Sequence, residues 1–246
     1  WVNLYFINLQ PSELMKIAII ACLAKFYHRL DLEKVNSYKG IMIIIVILTL
    51  PVILVVSQPD LGTSILIALS GLAVIWLAGL NIKYFFYSIT SLLISLPFVI
   101  SFLKPYQKLR ILTFLNPDRD PLGAGYQIIQ SKIAVGSGGF FGKGFLKGTQ
   151  SYLEFLPEKH TDFIFTLFAE EYGFLGSMGL LLIYIVIIYR VWKIGSISRS
   201  YFAKLFCFGY SSAIFFYVTV NMSMVLGLLP IVGSPLPIMS YGGSSM

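Results

Sequence analysis

Apolar residues run in long blocks rather than in alternation with polar ones. Six blocks, roughly 12–29, 40–57, 61–80, 83–103, 163–190 and 203–228, reach or approach a membrane-spanning length. A hydrocarbon core about 30 Å thick asks for ~20 residues of helix. A seventh block starts near Pro237. Few charges interrupt these blocks, and no period of two runs through them, so helices fit better than barrel strands. The pattern predicts an all-α polytopic membrane protein, a bundle of transmembrane helices forming one membrane domain over 1–246.

Composition supports this. Of 246 residues, 57% are hydrophobic and only 12% charged, against roughly 25% charged in ordinary soluble domains. A soluble enzyme, a disordered chain and a disulfide scaffold are excluded. Cys22 and Cys207 both sit in apolar runs, and His28 and His160 lie far apart, so a His/Cys metal cluster is not expected. The net charge of +7 is spread over the loops of a membrane protein, and no nucleic-acid partner is expected.

Lys and Arg in short loops set orientation. Arg29, Lys34 and Lys39 fall in one connection, Lys83 in a tight link, and Arg190, Lys193, Arg199 and Lys204 in a third. With these on the cytoplasmic side, the opposite face receives Gln10–Glu13, Gln58–Gly62, residues 104–162 and Leu229–Pro237. The stretch 104–162 is then a large extracytoplasmic loop. Its apolar residues, among them Ile111, Phe114, Ile128, Phe140, Phe141 and Leu153, are too many for a solvated linker. Short helices lying on the membrane or folded over the bundle are expected. Trp1 and a last block cut short at Met246 read as a fragment lacking membrane helices at both ends.

Several motifs carry candidate chemistry. Gln10-Pro11-Ser12-Glu13-Leu14-Met15-Lys16 opens the first span, with Glu13 and Lys16 on one helical face. Ionisable groups entering a membrane are costly and usually functional, although a first-turn acid also favours a helix start. Gln58-Pro59-Asp60-Leu61-Gly62 weakly echoes this motif and reads as a turn with Asp60 as a cap. The run Gly136–Gly144 resembles a phosphate loop but fails the nucleotide pattern. Ser137 stands where Gly is needed, and Gly144 follows Lys143 in place of Ser or Thr. A turn packed on aromatics explains it as well. Before the fifth span, Thr161 reads as an N-cap and Asp162 as a first-turn acid beside Lys159 and His160. The same carboxylate, at the outer boundary, is placed to accept a proton from a hydroxyl. Glu170 and Glu171 lie about two turns deeper, with Glu170 near the face of Asp162 if the helix is continuous.

Together these residues resemble a known family. Asn116-Pro117-Asp118-Arg119-Asp120-Pro121-Leu122-Gly123, then Gly125-Tyr126-Gln127, Gln130-Ser131, the glycine stretch, Leu156 to Phe165 and Glu170-Glu171 look like the shape, elongation, division and sporulation (SEDS) family. The motifs Gln10–Lys16, Gln58–Gly62 and Gly233–Ser245 fit it too. Gly142-Lys143-Gly144 followed by Gly148-Thr149-Gln150 is more similar to its elongation branch than to its division branch.

The resemblance implies a ten-helix bundle in the bacterial inner membrane, with about three helices before Trp1. It implies a peptidoglycan glycosyltransferase that polymerises lipid II during elongation and maintenance of rod shape. The partners it implies are a class B penicillin-binding protein that crosslinks the strands, other elongation-complex proteins, and membrane lipids. The family's essential aspartate falls on Asp162, and its membrane-boundary glutamate and lysine fall on Glu13 and Lys16. The reaction joins a hydroxyl to an anomeric carbon while a lipid diphosphate leaves, and the linkages imply inversion. One carboxylate base suffices for that, and Asp162 is the expected base. Cations must meet the developing diphosphate charge. Lys16, Lys108, Arg110, Lys143 and Lys159 are candidates, with His160, Glu13 and Glu170 as further cavity residues and a divalent cation such as Mg as a possible helper. A lipid II flippase and a noncatalytic scaffold of the cell-wall complex are the competing readings. The nearly all-apolar inner halves of the spans argue against a flippase.

Overall fold

The computed structural model describes residues 2–3, 8–30, 35–58, 60–120, 123–149 and 161–241. Eight α-helices follow one another among them: α1 Pro11–Arg29, α2 Tyr38–Ser57, α3 Leu61–Leu77, α4 Ile82–Phe102, α5 Pro105–Leu115, α6 Ala124–Gly138, α7 Ile164–Ile197 and α8 Tyr201–Val225. A short 3₁₀ turn, Pro117–Arg119, joins α5 to α6, and a two-residue strand pair, Val2–Asn3 with Asn8–Leu9, precedes α1. Apart from that strand pair, the described residues form the helical membrane fold expected from the sequence. Among the described residues, α2, α7 and α8 are long and apolar enough to cross a membrane, while α3 and the segment Ile82–Ser95 are shorter apolar helices.

Local chemistry fixes the helix starts. Pro11 occupies the first turn of α1, where its missing N–H costs nothing. Ser37 caps α2 through Gly40 N at 3.2 Å, Asp60 caps α3 through Thr63 N at 3.1 Å, and Asn81 caps α4 through Lys83 N at 3.1 Å. The expected capping role of Asp60 is therefore present.

α8 is the hub of the bundle, packed by α1 and α3 on one side and α7 on the other. Ile19, Ile20, Leu23 and Tyr27 of α1 meet Ile67, Val74 and Ile75 of α3 and Leu205 of α8 in one core. Gly209 permits this approach, since a Cβ there would strike Val74 and Ile20. Small residues serve this purpose in membranes, where close backbone packing replaces the hydrophobic drive. A second core joins Phe163, Phe165, Ala169 and Tyr184 to Ile214, Val218, Met222 and Leu236. α4 stands apart: most of its large apolar side chains are exposed, and Phe85 meets Trp76 of α3 at 5.4 Å between ring centroids.

The structure departs from the sequence expectation at α7 in two ways. The helix starts at Ile164 with Phe163 as its N-cap and no side-chain cap bond, so Thr161 and Asp162 lie in the turn before it. Burial of Phe163, 1% exposed, draws the chain inward there and delays the helix. The helix is also broken, at Gly173, with φ 65° and ψ −160°. An unbroken helix would pair Phe174 N with Glu170 O and Leu175 N with Glu171 O. Instead Phe174 N donates to Gly139 O at 2.9 Å and Leu175 N to Phe140 O at 3.1 Å. The carbonyls of Glu170 and Glu171 accept from Lys143 N at 3.1 Å and Gly144 N at 3.0 Å. Residues 139–144 thus splint the break, and all four orphaned groups find partners, as buried backbone requires. Two glycines of this stretch permit that approach: a Cβ on Gly138 would overlap Ala169 O, and one on Gly142 would overlap Glu171 O.

Candidate active site

Asp162 is half-buried and lies where α7, α8 and the segment after α8 converge. Its backbone is pinned from two directions. Asn221 of α8, fully buried, donates through Nδ2 to Asp162 O at 2.8 Å and to Ser234 O at 2.7 Å. Ser240 donates through Oγ to Thr161 O at 2.7 Å and accepts from Leu236 N at 2.7 Å. The main chain is therefore held by its carbonyls. The carboxylate neighbours Gly233, whose φ is 75°: a Cβ on that glycine would sit 3.6 Å from Asp162 Oδ2.

One helical turn before Asn221 on α8 is Tyr217, and it belongs to the neighbouring cavity. That cavity, of about 110 Å³, is lined by Glu13, Lys16, Tyr210, Tyr217, Pro235 and Pro237, with apolar side chains between them. Glu13 and Lys16 form an ion pair on α1, and Lys16 Nζ stands 3.8 Å from the centroid of the Tyr217 ring. A cation on an aromatic face is stabilised where water is excluded. The Tyr217 hydroxyl is buried and has no protein partner among the described residues. Segment 233–237 is shared: Gly233 and Ser234 face the Asp162 turn, whereas Pro235 and Pro237 wall the cavity. Tyr184 of α7 fixes this wall by donating to Pro237 O at 2.6 Å. At the head of the bundle, Gln10 Nε2 donates to Asp60 Oδ2 at 3.2 Å, so the two echoing Gln-Pro motifs meet.

The remaining sequence candidates divide. Arg110 of α5 reaches the same region by donating to Ile231 O at 3.4 Å. Lys108 turns back to Ser101 O at the end of α4, at 3.3 Å. Lys143 and Glu170 face each other, Nζ to Oε1 2.7 Å, so the loop cation is engaged by the deep acid. Lys159 and His160 lie outside the described residues. Sequence reading missed Tyr217, Asn221 and Ser240. Polar groups four apart in an apolar helix, Tyr217 and Asn221, are the signal that marks α8.

The site thus combines a pinned acid, an adjoining cavity with an ion pair over an aromatic ring, and apolar walls.

The comparisons agree on one family. The model of the cell cycle proteins, the group of FtsW, RodA and SpoVE, matches residues 1–246, and the chain belongs to this family. It is an integral membrane protein. The peptidoglycan glycosyltransferase MrdB of Escherichia coli K12 is 48% identical over all of this chain, which spans 66% of MrdB. A chain from a peptidoglycan synthase complex, studied for the structural coordination of polymerization and crosslinking, superposes with TM-score 0.81 at 33% identity, covering 100% of this chain and 68% of that one. The rod shape determining protein RodA of Thermus thermophilus gives TM-score 0.63 at 26% identity over 97% of this chain and 60% of that one.

Proposed function

We propose that this chain is the greater part of an inverting peptidoglycan glycosyltransferase that polymerises lipid II at the outer face of the bacterial inner membrane, during elongation and beside a class B penicillin-binding protein. The observation that carries the reading is the Asp162 turn, held by Asn221 and Ser240 next to the Glu13–Lys16 cavity. Asp162 takes the proton of the attacking sugar hydroxyl. The bond from the anomeric carbon to the diphosphate oxygen breaks as the glycosidic bond forms on the opposite face, so one base suffices. Arg110, which donates to Ile231 O, and Lys16, in the adjoining cavity, balance the leaving diphosphate. Among the described residues no three His, Cys, Asp or Glu side chains gather as a metal site. A divalent cation such as Mg would be held by water, substrate phosphates and at most one or two carboxylates, and would supply positive charge to the leaving diphosphate.

A 48% identical glycosyltransferase and a structural match within a polymerising and crosslinking complex support this reading over a flippase or an inert scaffold. The test is direct. Full-length protein, purified with its crosslinking partner, should convert lipid II into glycan chains visible on a gel. Transport of lipid II across vesicles without any polymer would favour the flippase.

Sidedness rests on the Lys/Arg loops. Cysteines placed at Gly123 and at Ser196 should react with an impermeant thiol reagent from opposite sides of the membrane, Gly123 from outside. Labelling of both from one side would overturn the arrangement and remove Asp162 from the outer face.

A further inference from the structure

From the sequence, Glu170 is either a cavity acid or the partner of a cation. It is paired with a cation. The residue is 0% exposed, and Oε1 accepts from Lys143 Nζ at 2.7 Å, from Thr149 N at 2.9 Å and from Thr149 Oγ1 at 3.0 Å. Lys143 Nζ also donates to Thr149 Oγ1 at 2.9 Å. One carboxylate oxygen therefore gathers both ends of the loop 143–149. Gly148 leaves room for it, since a Cβ there would lie 2.9 Å from the other oxygen, Oε2. The backbone of Glu170 and Glu171 is joined to the same loop across the break at Gly173. Side chain and main chain thus act on one joint. Below the joint, α7 runs as an apolar helix. Above it, a short outer segment from Ile164 to Tyr172 leads back to Asp162. That segment is fixed to α6 and α8 through Ser131, which meets Thr166 at 3.1 Å and donates to Val225 O at 2.6 Å.

We propose that Glu170 is a positioning residue for the reaction: it locks Lys143 and Thr149 onto the broken turn of α7, and so holds at a fixed height and angle the outer segment that carries Asp162. Lys143 then belongs to the scaffold of the site, not to the diphosphate. The proposal rests on Asp162 as the base. Breaking a buried ion pair from either side is strongly destabilising locally, so loss of Glu170 or of Lys143 opens the lock. A shift of about 1 Å at a reacting group can cost about 100-fold in rate.

The test uses the full-length protein with its partner and purified lipid II. Glu170→Gln and Lys143→Met should each lower kcat about 10- to 100-fold with KM unchanged. The double variant should fall no further than the worse single one, because both changes open one lock. Thr149→Ser, which keeps both donors, should retain wild-type kcat. A raised KM in Lys143→Met, with full activity in Glu170→Gln, would return Lys143 to the substrate and overturn the lock. So would a lowered melting temperature in both variants with kcat per folded molecule unchanged, since that marks a purely structural pair. Wild-type protein that makes no polymer would overturn the glycosyltransferase reading and this proposal with it, whereas an active wild type with unaffected variants overturns the lock alone.

Discussion

Asparagine at position 162 is expected to suppress glycan polymerisation by about 10²- to 10⁴-fold, the usual contribution of a positioned general base. The substitution is nearly isosteric. It keeps the main-chain carbonyl that accepts from Asn221, so the turn retains its anchor. It also leaves the start of α7 intact, because the N-cap is Phe163 and no side-chain cap bond exists there. The folded state should survive, with melting temperature and partner binding close to wild type. Glutamate at the same position keeps basicity and displaces it by one methylene. An activity above that of the Asn variant would identify basicity, not shape, as the property lost. Near-normal polymer from the Asn variant would remove Asp162 from the chemistry and leave the cavity pair as the next candidates.

The second large effect is on stability. Gly173 adopts φ 65° and ψ −160°, a region that side chains rarely enter, and a Cβ there would overlap Gly142 N. Backbone strain of this sort costs about 1–3 kcal/mol, and forcing an atom into a packed interior costs about 1–3 kcal/mol more. Gly173→Ala should therefore destabilise the protein by about 2–6 kcal/mol, read as a large fall in detergent melting temperature. Gly179→Ala is the control. That glycine lies on the same helix with open space around it, and alanine there should be neutral or stabilising by up to about 1 kcal/mol. Equal melting temperatures for the two variants would show that the break does not need glycine.

The membrane-helix character of the fold was legible because hydrocarbon imposes its demand on every residue of a span, and 57% apolar content in long blocks cannot be arranged otherwise. The family was legible because its motifs are specific and in order. The break in α7 was not legible. Hydropathy averages over about 19 residues, so a single glycine inside an apolar block leaves no mark, and its partners lie in a loop far away in sequence. The same reason hid the pairing of Lys143 with Glu170, which are 27 residues apart. Glu13 and Lys16 stood out because neighbouring charges on one helix face need no tertiary information. Asn221 and Ser240 act on carbonyls, and a carbonyl is common to all residues, so no side-chain motif announces their targets. Asp162 was singled out by its position at the head of a span and by the family resemblance, yet what holds its turn, buried donors from later elements to the carbonyls of Asp162 and Thr161, belongs to tertiary structure alone.

The splint at Gly173 also bears on how the chain is made. Residues 139–144 leave the ribosome before residues 170–175, so the template for the broken turn exists before the turn itself. The apolar part of α7 can enter the bilayer as an ordinary helix, since its own ladder starts afresh after Gly173. The turn before Gly173, by contrast, acquires its shape only by closing onto the waiting loop. Closing a loop of about 30 residues carries a modest entropic cost, because that cost grows only logarithmically with length. The order of synthesis therefore favours the assembly: α6 and its loop are in place to receive the turn at Gly173, and the segment headed by Asp162 is completed last, when Asn221 and Ser240 close onto it.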